Sequence, residues 1–279
     1  MAFLVDCTAS MNPFAKAAAE TVSQVLDTIA VECGGVACRA AIVGYRDHCE
    51  AEDQRYDILP FTSDISAVRD KMAALASSGC FGGGDGPEDV HGGLNEALVL
   101  DWASDARVIF HIADAPCHGT QFHDGLTDHH PDGFQGWEGE GLDPKQMTAE
   151  SLLADLVGDQ ISYCFLRITP HTERMISAFR DIYRRAASGT PCHFSVAKLG
   201  TAPDSRDTAA WKEFTARFAS LLRGSLRESI CSARPPPAGG SCKMVRFSDR
   251  NSAKSARSSA STAYSKSLGS KPRLALREC

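Results

Sequence analysis

The chain has 279 residues, of which 43% are apolar and 23% charged, with a formal net charge of −6. That is enough apolar material for one sizeable core plus an appendage, and it excludes a chain that is disordered throughout. No apolar run approaches the length of a membrane span, and the opening Met1–Val5 stretch is too short for the apolar region of a signal peptide, so neither a membrane anchor nor export is expected. The 11 cysteines are odd in number, scattered, and without a Cys-x-x-Cys pair, which fits reduced thiols in a cytoplasmic protein better than a disulfide framework. The charge is unevenly spread. Residues 1–230 carry 19 Lys plus Arg against 33 Asp plus Glu, while residues 231–279 carry 10 against 2. The acidic body disfavours nucleic acid as a partner, and the basic segment is a separate object.

Phe3-Leu4-Val5-Asp6-Cys7-Thr8-Ala9-Ser10 opens the chain with an apolar run that ends in a carboxylate, followed by two hydroxyls at alternate positions. A buried strand would deliver Asp6 to a sheet edge, and the turn after it can aim Asp6, Thr8 and Ser10 at one point. Such a point suits a hard cation that takes oxygen ligands. Pro13 sits well in a first helical turn, and residues 14–29 read as an amphipathic helix. Strands are expected at 39–45 and 56–62, joined by a polar hairpin at 46–50, and Asp64 is a cap for a helix over 65–76.

Residues 79–89, Gly-Cys-Phe-Gly-Gly-Gly-Asp-Gly-Pro-Glu-Asp, form a glycine-rich loop that feeds a helix reaching to about Trp102. Residues 107–114 are a second apolar strand that ends in an acid, Asp114. From 115 to 145 there is no periodicity and the text is rich in Gly, His and Asp; a loop of this length in a compact domain is usually functional or mobile. Helix at 146–157, strand at 161–168, helix at 171–187, a weaker strand at 194–199 and a last helix over 207–229 follow. The alternation predicts an α/β fold, a doubly wound and mostly parallel sheet covered by helices on both faces. From Cys231 the pattern stops. The run Pro235-Pro236-Pro237, eleven serines and dispersed basic residues cannot bury enough apolar surface to offset ordering entropy, so 231–279 reads as a disordered basic tail.

In an open sheet of this kind, ligands collect beyond the carboxyl ends of the strands where the order reverses. The Asp6-x-Thr8-x-Ser10 pattern resembles the metal-ion-dependent adhesion site of von Willebrand factor type A domains. Gly82–Val90 followed by Gly92-Gly93-Leu94, and the run His111-Ile112-Ala113-Asp114-Ala115-Pro116, resemble the second and third motifs of the alpha-kinase-associated, intracellular subgroup. The resemblance spans roughly 1–230 and differs at Ala9, where that subgroup has Gly. It implies a protein-binding module whose cation is held by Asp6, Thr8, Ser10, Asp85 and Asp114. All five offer hard oxygen, which favours Mg²⁺, with Mn²⁺ or Ca²⁺ as other ions the set can take. An open coordination position would accept water or an acidic side chain of a protein partner. No kinase catalytic signature is present.

Other readings of these residues stand beside that one. Asp6 and Ser10 can cap the following helix while Asp85 serves a turn, but capping leaves acids at two apolar strand ends unexplained. Asp6-x-Thr8-x-Ser10 with Gly84-Asp85-Gly86-Pro87-Glu88-Asp89 also resembles the haloacid-dehalogenase-like phosphatases, in which Asp6 would be a Mg²⁺-assisted nucleophile; the residues before Gly84 are not a strand, and no lysine sits at a strand end upstream. His118, His123, Asp124, Asp128, His129 and His130 can converge on a zinc-type site or simply shape a surface loop. His111 is expected to be a satisfied core histidine. In the tail, Lys243, Val245 and Phe247 fit the short pattern by which protein phosphatase type 1 is docked through strand addition, and the serines after Arg257 can accept phosphate.

Overall fold

The structure, a computed structural model, describes residues 1–32, 38–131 and 147–198, with isolated positions between 207 and 220. Among the described residues six strands form one sheet: β1 (Ala2–Asp6), β2 (Ala40–Tyr45), β3 (Tyr56–Thr62), β4 (Arg107–Ala113), β5 (Ile161–Arg167) and β6 (Phe194–Lys198), in the order β3-β2-β1-β4-β5-β6. Every pairing is parallel except β2 with β3, which is antiparallel and closes one edge. The order reverses between β1 and β4, where Val5 sits beside Ile112. Both strands end in an acid at that reversal, so the topology alone brings Asp6 and Asp114 together.

Parallel strands need helical crossovers, and these cover both faces of the sheet. The helices are α1 (Asn12–Glu32), the one-turn α2 (Glu52–Arg55), α3 (Ile65–Ser78), α4 (Val90–Leu98), α5 (Ala149–Gly158) and α6 (Glu173–Ala186). Alternate residues of β1 feed opposite cores. Phe3 and Val5 pack with Val22 and Leu26 of α1 and Met72 of α3, whereas Ala2 and Leu4 pack with Leu94 of α4, Leu152 of α5 and Phe179 of α6. All five residues of β1 are buried, which is why the strand reads as a continuous apolar run rather than an alternating one.

Local chemistry sets the element ends. Asp64 caps α3, its carboxylate accepting from the backbone N–H of Ser66 at 3.0 Å and Ala67 at 3.3 Å, and Thr148 caps α5 through the N–H of Ser151. The helix after the glycine-rich loop is shorter than the sequence predicts. It stops at Leu98, and Trp102 folds back so that its indole N–H donates to the Ala97 carbonyl at 2.8 Å. The 46–50 hairpin also differs from expectation, because Arg46 and Asp47 are buried and the connection includes α2. His111 is the core histidine it was expected to be. It is fully buried between Tyr45 and Tyr163, with Nε2 2.8 Å from one hydroxyl and Nδ1 2.5 Å from the other, and burial lowers its pKa to about 3.

Among the described residues no helix is long and apolar enough to cross a membrane, and the seven cysteines all carry thiols. The last predicted helix lies for the most part outside the described residues, although positions 209, 210, 212, 213, 216 and 220 are helical. The tail 231–279, with Lys243, Val245 and Phe247, and residues 132–146 of the long loop also lie outside them.

Candidate metal centre

At the sheet reversal a chain of close polar contacts joins the two strand ends. Asp6 Oδ1 accepts from the Thr8 backbone N–H at 2.9 Å and from the Thr8 hydroxyl at 2.6 Å. Thr8 Oγ1 lies 3.2 Å from Ser10 Oγ, and the Ser10 hydroxyl donates to Asp114 Oδ1 at 2.9 Å. The Asp114 carbonyl is held by the Thr169 hydroxyl from the end of β5. Asp6 and Thr8 are fully buried while Ser10 is exposed, so the chain runs from the sheet interior out to solvent. Four of the five residues expected at this point are therefore in mutual contact.

The glycine-rich loop is pinned against this chain by backbone bonds. Ala9 N–H donates to the Gly82 carbonyl, Phe81 N–H to the Cys7 carbonyl, and the Asn12 side chain clamps both polar groups of Cys80. Glu88 then enters from the same loop. Its backbone N–H donates to the Pro116 carbonyl at 2.9 Å, and residue 88 forms a parallel bridge with Cys117, which docks it beside the end of β4. The Glu88 side chain turns toward the same place as Thr8, the two lying against Gly83. Gly83 leaves room for both. A Cβ there would come within 2.7 Å of Glu88 Oε1 and 3.4 Å of Thr8 Cβ, and its φ of +84° is itself unfavourable to other residues.

Asp85 takes a different place. Its Oδ2 accepts from the His129 backbone N–H at 2.5 Å, and it groups with Asp47 and His118, with one ligand atom from each within 4.8 Å of the others. Gly86 and Pro87 separate it from Glu88, and it is Glu88 that lies with Thr8 against Gly83. No sequence signal distinguished these two acids, which sit three residues apart in one loop. Asp47 was missed as well, because a carboxylate in a short polar turn carries no pattern of its own.

The three acids around Thr8 are electrostatically incompatible when all are ionised. Burial, and then the charge of Asp114, raise the pKa of Asp6. Burial and then the charge of Asp6 raise that of Glu88, and burial raises that of Asp114. Two buried carboxylate oxygens, Asp6 Oδ2 and Glu88 Oε2, have no hydrogen-bond partner. Native proteins rarely leave such atoms bare, since each costs on the order of 1–3 kcal/mol. A divalent cation would satisfy both and remove the repulsion. The donor set of carboxylates and hydroxyls, without imidazole or thiolate, fits Mg²⁺ chemistry.

A histidine-rich cluster lies next to it, built from the long loop. His118 bridges two carboxylates, with Nε2 2.7 Å from Asp47 Oδ1 and Nδ1 2.8 Å from Asp128 Oδ1. Asp128 also accepts from the N–H groups of Gly119 and His130 and lies 3.0 Å from His123 Nε2. The rings of His48, His118 and His130 pack with centroids 4.9–5.0 Å apart. Burial opposes charge on His118, but the hydrogen bonds to Asp47 and Asp128 outweigh it and raise its pKa to about 9. The same contact, working against burial, lowers Asp47 to about 2. Of the other loop residues considered for zinc, Asp124 pairs with Arg174 at the surface and His129 is exposed beside Asp85.

No protein-family model matches the chain. It is 31% identical over 179 residues to the alpha-protein kinase vwkA of Dictyostelium discoideum, a match that takes in 63% of this chain and 26% of that protein. It is 28% identical over 118 residues to the putative ariadne-like RING finger protein R811 of Acanthamoeba polyphaga mimivirus, covering 42% of this chain and 11% of the relative. Among solved structures, the pilus adhesin SpaC of Lactobacillus rhamnosus GG superposes on 80% of this chain and 30% of its own, with a TM-score of 0.49 and 12% identity. The human COPII-coat protein Sec24c superposes on 81% of this chain and 31% of its own, with a TM-score of 0.46 and 13% identity. The chain thus spans about a quarter of the kinase and about a tenth of the RING finger protein that it matches.

Proposed function

We propose that this domain is a protein-binding module of the von Willebrand factor type A kind, which presents a divalent cation, Mg²⁺ in the first place, to an acidic side chain of a protein partner. Asp6, Thr8, Ser10 and Asp114 hold the ion. Glu88 supplies the acid of the second loop, in the position that the sequence resemblance assigned to Asp85. The observation that carries this reading is the bare Asp6 Oδ2, sealed at the reversal of the sheet within a chain of hydroxyls and acids. Full burial of Asp6 suits holding a small ion beneath two hydroxyls. It does not suit in-line attack on a phosphate ester, as the phosphatase reading requires.

The likeness to vwkA supports the family assignment over the matched residues, and kinase activity is no part of the proposal for this chain. Next to the centre, Phe81 is 42% exposed, with the Arg46 guanidinium 4.0 Å from its ring centre. An exposed aromatic packed by an arginine at the rim of a metal centre is the composition of an interface anchor. Pull-down from cell extract with chemical crosslinking, in Mg²⁺ against EDTA, tests the reading. Specific partners are expected in Mg²⁺ and lost with EDTA and with Asp6→Ala; capture indifferent to both would refute it.

A further inference from the structure

Asp47, Asp85 and His118 come from three distant segments: the turn after β2, the glycine-rich loop, and the loop after β4. Each offers one ligand atom within 4.8 Å of the other two. Their side chains are only 3%, 1% and 2% exposed. Asp85 Oδ1 is buried without a hydrogen-bond partner, while its Oδ2 is anchored by the His129 N–H. A carboxylate sealed at this depth with one oxygen bare indicates a ligand that the protein atoms do not supply.

The imidazole is oriented as metal-bound imidazoles usually are. His118 Nδ1 is engaged by Asp128, itself fixed by two backbone N–H groups and by His123, and this leaves Nε2 aimed at Asp47. A carboxylate on the far ring nitrogen fixes the tautomer and strengthens the ligand. The 2.7 Å between Nε2 and Asp47 Oδ1 holds a proton. A metal with bonds of about 2.0–2.2 Å to both atoms would replace that proton after the pair opens by a few tenths of an ångström.

We infer that Asp47, Asp85 and His118 form a second metal site, for a transition-metal ion of the zinc type, separate from the hydroxyl and carboxylate centre at Asp6. One imidazole with two carboxylates suits zinc, cobalt or manganese, whereas the all-oxygen set beside it suits magnesium. Three protein ligands leave a fourth position for water or an incoming group. Cys49, whose Sγ lies 3.6 Å from Asp47 Oδ2, is a thiol within reach of the same site. The inference does not rest on the Mg²⁺ reading, because the two donor sets share no residue.

The test is calorimetric titration of the reduced full chain with Zn²⁺ in millimolar Mg²⁺, for the parent protein, Asp85→Asn, His118→Gln, Asp128→Asn and Asp6→Asn. Asp85→Asn keeps the acceptor used by His129 and is the variant least exposed to misfolding; Asp128→Asn touches no metal and reports on the orientation of His118. Zn²⁺ affinity is expected to fall tenfold or more in Asp85→Asn and His118→Gln and less in Asp128→Asn, and to be unchanged in Asp6→Asn. Cobalt substitution should give visible ligand-field bands that disappear in Asp85→Asn. Zn²⁺ affinity unchanged in both ligand variants would overturn the inference. So would cobalt spectra dominated by thiolate charge transfer that survives Asp85→Asn, or loss of Mg²⁺ binding in Asp85→Asn with Zn²⁺ binding intact.

Discussion

Asp6 concentrates the conflict at the metal centre, since it is fully buried, raised in pKa and bare at Oδ2. Asp6→Asn keeps the acceptor for Thr8 and removes a buried acid whose ionisation burial and the charge of Asp114 oppose. The variant is therefore expected to melt at or above the parent in EDTA and to lose the stabilisation that Mg²⁺ confers on the parent. Thermal melting in both conditions reads this; an equal Mg²⁺ shift in both proteins would contradict it. The pH dependence follows with a definite sign. Between about 4, where unfolded carboxyls titrate, and their raised folded values, Asp6, Glu88 and Asp114 keep protons that the unfolded chain has released, so stability falls as pH rises. His118 acts in the same direction: its contribution is complete below about 6.5 and is lost as pH rises through about 9. Asp47, lowered to about 2, contributes fully above the ordinary carboxyl range and loses its contribution only as pH falls through that value. Metal-free protein should thus lose stability in urea titrations from pH 7 to pH 8, above the range in which His48, His91 and His111, whose pKa values burial lowers, act in the opposite sense, and Mg²⁺ should flatten the slope by favouring the ionised acids. A metal-free stability that rises over this range would contradict the assignment.

At the scale of elements, the glycines and caps do the positioning. Gly93 on α4 lets the helix lie against the sheet, where a Cβ would come within 2.9 Å of Tyr45 Cδ1 and 3.1 Å of Leu4 Cδ1. Gly93→Ala is expected to cost about 1–3 kcal/mol by overpacking. Asp64→Ala, which removes the cap of α3 far from the metal centre, should cost about 1 kcal/mol and leave Mg²⁺ affinity unchanged. Urea denaturation checks both. The elements themselves were largely legible in the sequence. Runs buried on both sides, such as 2–6 and 107–113, announce central parallel strands, and the bounds of β3 and the cap at Asp64 agree with expectation. Legibility failed where tertiary contact decides. Nothing local tells Glu88 from Asp85, or shows that Asp47 in a polar turn is buried against His118, 71 positions away. The convergence of Asp6, Thr8, Ser10 and Asp114 was expected because the family resemblance implied where the sheet reverses and the hydroxyl spacing points to one place.

For the whole molecule, the sheet reversal, the glycine-rich loop and the long loop converge on one crest that carries two donor sets of different hardness. Phe81 stands at its rim. If partners dock on that crest, Phe81→Ala should weaken capture in Mg²⁺ at least tenfold while leaving Mg²⁺ affinity intact, a separation measurable by pull-down and calorimetry on the same protein. Equal capture by Phe81→Ala would place the interface elsewhere. The basic tail beyond residue 231 remains a proposed second contact, through Lys243, Val245 and Phe247. The measurement closest to the central claim is isothermal titration of Mg²⁺ into the metal-free chain, compared with Asp6→Ala, Asp114→Ala and Glu88→Gln. Saturable binding of one ion is expected for the parent, abolished in the two aspartate variants and weakened in Glu88→Gln. Identical titrations for the parent and both aspartate variants would contradict a cation held at the junction of β1 and β4.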